Sequence, residues 1–538
     1  MTVPNSFQNR FKEYLDFQSS YEDQLGRYLR SVRCNTTNFL LPLNRLGSKN
    51  NSSLTDRSIS DLSEFLFDDE SVIYWELVGK FGETKGVLSS LGLPNRTVVI
   101  EILNNKLDDE LKEDLIASVD ELARHLCGLF VIDACLFVLH EALESEQLRN
   151  WKYHSSGQVE WEPNYDPKRE LLLTAGPSIS SREVTYAHDA ALNGWNRNAS
   201  KYLDLFESQF ASYLGARFAI ATSSCTGALQ IALLSVDVGP GDEVIVPDLT
   251  WVATANAVRY TGAKPVFADV NVNDWTMDIT SLRSLVSQKT KAIMPVHMYG
   301  HPANMTAIME IANEFGIPVI EDAAPAIGAT WRGKKCGTFG DFAAFSFQGA
   351  KLLVTGEGGM LVTDNEELYL RARKIWDQGR NPTRAFWIDS QGVKFKMSNV
   401  QAAIGLGQLE RVDELIDLKR RIFSWYEEIL GDCSQISLNK EVEDAKSIYW
   451  MSSLMLGGDT KIERDDLIAA LRQLNIDSRP VFPAISQYPI WEKQHDPRPN
   501  ALSIGRRAMN LPSGVKLTRD QVQYVAHSVR TLVDKTNN

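Results

Sequence analysis

The sequence has no C-x-x-C pair, no Walker-type phosphate loop, no G-x-G-x-x-G and no long block of lysine and arginine. Without clustered thiols there is neither a disulfide framework nor a zinc ribbon. The six cysteines (Cys34, Cys127, Cys135, Cys225, Cys336, Cys433) are scattered as reduced thiols of a reducing compartment would be. A formal net charge of −13 without a basic stretch argues against nucleic acid as a partner. The most apolar run, 126–139, is too short to span a bilayer and contains Asp133, so it reads as a buried helix and no membrane insertion is expected. The first residues carry neither a basic nor an apolar leader region, and the expected location is cytoplasmic.

What is present is a soluble, globular composition, 43% hydrophobic and 23% charged, over 538 residues, long enough for two or three domains. Residues 1–150 read as a separate α/β unit of unassigned role. Helical spacing is seen over 7–30, a polar loop over 35–60, a β-branched strand over 97–103 and helices over 108–146. Residues 151–170, polar and aromatic with two prolines, read as a linker. Beyond it, strand-like runs at 218–222, 243–246, 265–268, 291–296, 318–321 and 342–347 alternate with helical stretches such as 227–236 and 303–315. Such alternation predicts a mostly parallel sheet sandwiched by helices, with ligands at the carboxyl ends of its strands. From about 399 the pattern is helical, with three-and-four spacing through 401–430, and a smaller α+β region completes the chain. The expected division is a large domain over 171–415 and a small one over 416–538.

The chemistry gathers around Phe345-Ser-Phe-Gln-Gly-Ala-Lys-Leu-Leu-Val-Thr-Gly-Glu-Gly-Gly. Glycine turns and two short apolar runs hold Lys351 where desolvation lowers its pKa and makes the amine a nucleophile toward a carbonyl. A lone lysine beside glycines is otherwise a solvated loop residue. Asp322 closes another strand; such a carboxylate either caps the next helix or, in a lysine-dependent pyridoxal-phosphate enzyme, keeps the pyridine nitrogen protonated. Ser223-Ser-Cys-Thr-Gly-Ala-Leu opens a helix whose free N–H groups suit a phosphate or simply an N-cap. Trp251 follows a strand end and has the flat face to cover a cofactor ring. His297 and His301 have ligand spacing for a helix, but Pro295, Gly300 and Pro302 make the segment a turn, and no metal site is expected.

Further stretches are Ala175-Gly-Pro-Ser, Gly239-Pro-Gly-Asp-Glu-Val-Ile-Val-Pro, Thr254-Ala-Asn-Ala-Val and Pro295-Val-His-Met-Tyr-Gly-His-Pro. Glu321-Asp-Ala-Ala, Thr355-Gly-Glu-Gly-Gly, Asp377-Gln-Gly-Arg and Met397-Ser-Asn with Gln401-Ala-Ala-Ile-Gly follow. Over residues 171–538 these resemble the DegT/DnrJ/EryC1/StrS sugar aminotransferases, a branch of the fold-type I pyridoxal-phosphate enzymes, and among them the GDP-perosamine synthase group.

The resemblance implies pyridoxal 5'-phosphate as cofactor, with Lys351 as Schiff-base lysine and catalytic base. It implies Asp322 as partner of the pyridine nitrogen, Trp251 as ring-stacking aromatic, and Cys225, Thr226 and Ser346 as phosphate contacts. Asn399 matches an asparagine reaching the neighbouring subunit's cofactor, which implies a homodimer with shared active sites. Glutamate is the implied donor and a nucleotide-linked keto-sugar, most simply a 4-keto-6-deoxy sugar, the acceptor, for polysaccharide or glycan biosynthesis. The chain departs from the pattern at three substrate- or phosphate-facing positions. Pro325 replaces a polar residue near the sugar, Cys225 replaces a glycine that leaves room in the phosphate loop, and Gly392-Val-Lys-Phe-Lys replaces a segment with an arginine. Lys394 or Lys396 supplies charge there without a bidentate guanidinium. Two rivals stand beside this reading. A sugar dehydratase of the same fold carries histidine in place of the lysine, whereas a non-catalytic sensor or scaffold would bind cofactor without turnover.

Overall fold

A computed structural model describes residues 151–153, 159–161, 171–492 and 498–537. The features expected within 1–150 lie outside them. The chain separates into two compact units, the second comprising Tyr165–Ser178 and Arg182–Asn538. The stretch read as a linker contains an antiparallel hairpin of β1 (Trp151–Tyr153) and β2 (Val159–Trp161), paired Trp151 to Trp161.

Beyond the hairpin the first helices are α1 (Ser181–Asn193) and α2 (Lys201–Leu214). Strand and helix then alternate: β3 (Phe218–Thr222), α3 (Cys225–Ser235), β4 (Glu243–Pro247), α4 (Ala253–Tyr260) and β5 (Lys264–Ala268). The alternation continues through α5 (Ile279–Leu285), β6 (Thr290–Ile293), α6 (Met305–Phe315) and β7 (Ile320–Asp322). Short strands β8 (Thr330–Trp331) and β9 (Lys334–Lys335) precede β10 (Phe342–Ser346), β11 (Gly359–Thr363) and α7 (Glu366–Trp376). After α8 (Asn399–Leu409) and α9 (Val412–Leu430) come β12 (Ile436–Leu438), β13 (Ala445–Lys446), β14 (Ser453–Leu456) and α10 (Arg464–Gln473). The last elements are β15 (Arg479–Pro480), α11 (Pro499–Arg507), β16 (Ala508–Asn510) and α12 (Arg519–Asn537).

Two sheets, β3-β11-β10-β7 and β5-β4-β6, are joined by the bridges Ile293–Val319 and Val296–Asp322. The continuous order is β3-β11-β10-β7-β6-β4-β5, parallel throughout except for β11. Side chains alternate across this sheet as period-2 geometry requires. Phe342 and Ala344 of β10 join the core on one face, Ala343 and Phe345 the core on the other, and Ile220 of β3 and Leu361 of β11 side with the first pair. Helix α3 covers one face and α2 with α8 the other. Both faces being buried explains why these strands read as near-continuous apolar runs.

The boundaries differ in two instructive places. The expected strand over 318–321 begins two residues later, because Pro318 has no N–H and joins the sheet only through its carbonyl, which accepts from Ile293. The single helical stretch over 401–430 is two helices, broken at Arg411 (φ −112°, ψ 7°). Helix α8 begins earlier, with a capping box between Ser398 and Gln401. Helix α9 then runs from the core holding Val412, Leu415 and Ile416 into a second core holding Ile422, Tyr426 and Leu430, which backs the antiparallel sheet β12-β14-β16-β15.

Candidate active site

The strand ends decide what meets. β3 delivers the start of α3, β4 delivers Trp251, β7 delivers Asp322, and β10 delivers Ser346 with the turn that carries Lys351. All are carboxyl ends of parallel strands, the edge at which open α/β sheets take ligands.

Ser224 caps α3: its Oγ accepts from the Gly227 N–H at 3.1 Å. Cys225 and Thr226 occupy the first helical turn, where backbone N–H groups have no intrahelical acceptor. Their donors, with the positive end of the helix, form an anion-ready edge. Cys225 is buried in a right-handed conformation, so its position does not demand glycine. Burial raises its thiol pKa well above the ordinary value. The glycine that matters faces it: a Cβ on Gly359 would lie 2.5 Å from the Cys225 nitrogen, so β11 closes on the helix start only without a side chain. The 392–396 segment lies alongside, with the Ser223 N–H donating to the Phe395 carbonyl at 2.8 Å.

Asp322 is buried, and burial raises its pKa. Thr254 of α4 opposes that shift, donating through Oγ1 to Asp322 Oδ2 at 2.7 Å, while the Ala324 N–H donates to Oδ1 at 3.2 Å. The preceding residue is braced from behind. Glu321 accepts from the backbone N–H groups of Gly337, Phe339 and Gly340 at 2.7–2.8 Å and pairs with His297 Nε2 at 3.0 Å. His297 Nδ1 accepts from the Ala303 N–H, so Nε2 carries the proton toward Glu321. Burial acts to raise the Glu321 pKa, but His297 and the Gly340 and Gly337 amides leave it lowered. His301 bonds the Pro302 carbonyl and the Val442 N–H, and between the two histidines lies a one-turn 3-10 segment, not a helix.

Lys351 is half-buried in the turn after β10, its N–H donating to the Gln348 carbonyl. Desolvation pulls its amine down to about 8, against the opposing pull of Asp322 and Cys225. The Nζ atom lies 3.7 Å from the centroid of the Trp450 ring. Trp450 and Thr254 are absent from the residues singled out for roles in the sequence. Thr254 stands three positions after Trp251 at the same helix start, a spacing that could have flagged it; nothing near Trp450 does so.

Other expected residues are placed as follows. Trp251, just beyond the end of β4, is 57% exposed and touches Phe482 at 5.5 Å between ring centroids. Ser346, at the end of β10, and Thr226, in the first turn of α3, are half-buried. Pro325 is buried in the turn after Asp322. Lys394 is exposed, and Lys396 pairs with Asp377 while lying 4.2 Å over the Trp376 ring. Asn399 starts α8; its Oδ1 accepts from the Tyr202 N–H at 2.9 Å and its Nδ2 makes one long contact, 3.5 Å, with the Gly194 carbonyl.

A carboxylate for a ring nitrogen, an amine for a carbonyl and free amides for a phosphate fit pyridoxal phosphate. The fold is that of the fold-type I pyridoxal-phosphate transferases. The chain belongs to the DegT/DnrJ/EryC1/StrS aminotransferase family, which residues 177–530 match. Over 356 residues it is 40% identical to a GDP-perosamine synthase of Caulobacter vibrioides, covering 66% of this chain and 96% of that protein. Over 353 residues it is 39% identical to a GDP-perosamine synthase of Escherichia coli O157:H7, with the same two coverages. The solved structure of DesI in the presence of its TDP-sugar product matches with a TM-score of 0.64 at 28% identity, over 69% of this chain and 95% of that one.

Proposed function

We propose that this protein is a cytoplasmic homodimer that moves an amino group from glutamate to a nucleotide-linked keto-sugar, most simply a 4-keto-6-deoxy sugar, for polysaccharide or glycan biosynthesis. The observation that carries the reading is the convergence of Lys351, Asp322 and the start of α3 on one crevice. The GDP-perosamine synthases and the DesI structure with its TDP-sugar product support the acceptor class. No helix of the described residues is long and apolar enough to cross a membrane.

Bound pyridoxal phosphate supplies an electron sink conjugated to the substrate's amine. Asp322 would face the ring nitrogen, its charge held in place by Thr254 and the Ala324 N–H. The Cys225 and Thr226 amides with Ser346 would take the phosphate, and Trp251 would cover the ring. Lys351, with a pKa of about 8, exchanges its proton near neutrality, so one residue serves as base when a proton leaves the substrate carbon and as acid when it returns. Asn399 has amide capacity beyond its single long Nδ2 contact, which supports a role toward a second subunit. Pro325, Lys394 and Lys396 are assigned to the sugar-nucleotide side. Since Lys396 is already paired with Asp377, Lys394 is the freer cation for a phosphate.

The deciding measurement is the visible absorption of the purified protein before and after glutamate, beside Lys351→Ala, followed by a panel of GDP- and TDP-linked 4-keto-6-deoxyhexoses. Cofactor colour that bleaches with glutamate, is lost in the variant and returns with one acceptor is the expected result. Colour indifferent to every amino donor would sink the reading in favour of a sensor or scaffold.

A further inference from the structure

We propose that Trp450 is a positioning residue for Lys351, the indole face being the resting place of the lysine ammonium whenever that amine is not bonded to cofactor. The inference rests on the aminotransferase reading and adds to it a residue distant along the chain, in the segment between β13 and β14.

Two contacts tie the pair together. The Lys351 Nζ atom stands 3.7 Å from the ring centroid, and the indole Nε1–H donates to the carbonyl of Ala350, the residue before Lys351, at 2.8 Å. One aromatic side chain therefore holds both the tip and the root of the lysine. Trp450 is itself fixed from behind. Its carbonyl accepts from the buried Lys419 Nζ of α9 at 2.8 Å, and its ring packs 5.8 Å from that of Tyr299. The residue before it, Tyr449, adopts a left-handed φ of 47°, a conformation costly for a bulky side chain and held by stacking of its ring on Phe423 at 3.7 Å. Gly300 lets this segment approach, since a Cβ there would lie 3.0 Å from the Trp450 nitrogen. Backbone strain, a buried lysine and a close glycine converge on the placement of one indole.

The chemistry needs such a place. A group that takes a proton from substrate must hold it until it is returned, yet a carboxylate bonded directly to the ammonium would retain it. A π face attracts the ammonium and has no lone pair to take the proton. The groups that face the amine are Asp322 from the end of β7 and Cys225 from α3, with His297 acting on Asp322 and Lys419 bonded to the Trp450 carbonyl.

The test uses the full-length chain after cofactor removal, labelled with acetic anhydride over a pH series, with Lys351 acetylation read by mass spectrometry. Trp450→Leu is expected to lower the midpoint of Lys351 reactivity by about half to one pH unit, because the ammonium loses its π partner. With cofactor restored, kcat should fall about tenfold while the glutamate KM stays within about twofold. A wild-type midpoint in a Trp450→Leu protein of wild-type melting temperature overturns the proposal. Should that variant not fold, Trp450→Phe decides: it keeps a ring face and loses the N–H to Ala350, so a wild-type midpoint with lowered kcat supports the assignment and wild-type kcat overturns it. Labelling reads the amine whether or not the protein turns over glutamate, so failure of the aminotransferase reading and failure of this proposal give different results.

Discussion

Thr254 Oγ1 donates to Asp322 Oδ2 at 2.7 Å, in a setting where burial pushes the carboxyl toward its neutral form. In the role proposed for it, a neutral Asp322 could not hold a proton on a ring nitrogen, so this hydroxyl would be part of what keeps the site usable. Thr254→Val keeps the shape and removes the donor. A hydrogen bond to a charged group contributes roughly 1.5–3 kcal/mol, so cofactor affinity is expected to fall between about tenfold and a hundredfold. Thr254→Ser should recover most of it. Equilibrium titration with pyridoxal phosphate measures both, and wild-type affinity in the valine variant would remove Thr254 from the site.

The amine of Lys351 attacks a carbonyl only when neutral, and its pKa is drawn down to about 8. Below that value the protonated fraction dominates, so the rate at which cofactor-free protein regains visible absorbance should climb about tenfold per pH unit and level off above about 8. Stopped-flow absorbance over a pH series checks the midpoint. A midpoint near the ordinary lysine value would mean that the amine is not desolvated.

Lys419 is buried against the carbonyls of Trp450 and Ser513, and no carboxylate among the described residues forms an ion pair with it; desolvation lowers its pKa to about 7. In the unfolded chain the same amine titrates near ~10.4. Between those values the unfolded state binds a proton that the folded state lacks, so this residue makes stability rise with pH across that window, by up to ~1.4 kcal/mol per unit. Lys419→Met should lose this slope. Denaturant unfolding of both proteins at about pH 7 and about pH 9 gives the comparison. A stability difference that is the same at both pH values would show that Lys419 is not titrating there.

Gly359→Ala places a methyl 2.5 Å from the Cys225 nitrogen and 2.6 Å from the Ser224 carbonyl carbon, both backbone atoms that cannot swing away. Overpacking of this kind costs about 1–3 kcal/mol, and here it would also shift the amides proposed to take the phosphate. A lowered melting temperature together with weaker cofactor retention is expected. Gly176→Ala, with nothing within 4 Å, should change neither and serves as the control.

The strand–helix alternation was legible because both faces of the sheet are buried, so each strand is an apolar run bounded by turn residues. Its errors fall where pairing, not composition, sets the boundary. Pro318 is apolar and sits in register but lacks the donor, and Glu410 and Arg411 interrupt a helical pattern without any glycine or proline to mark the break. Lys351, Asp322 and the start of α3 were each readable as strand-end chemistry with a bland alternative, and only their joint family pattern pointed to one site. Lys396 shows the limit: its charge was visible in the sequence, but its pairing with Asp377 and Trp376 depends on how the 377–396 segment folds back.

By itself, the sequence determined the doubly covered parallel sheet, the amine and carboxylate at its strand ends and membership of an aminotransferase family, since these follow from local periodicity and motifs of a few residues. The tertiary structure alone decided what surrounds the reactive amine. Trp450 lies 99 positions from Lys351, and Lys419 and Tyr299 reach Trp450 from separate elements, brought together by burial of two cores that share α9. No local pattern encodes such a meeting, because desolvation and π contact depend on distance in space and not along the chain.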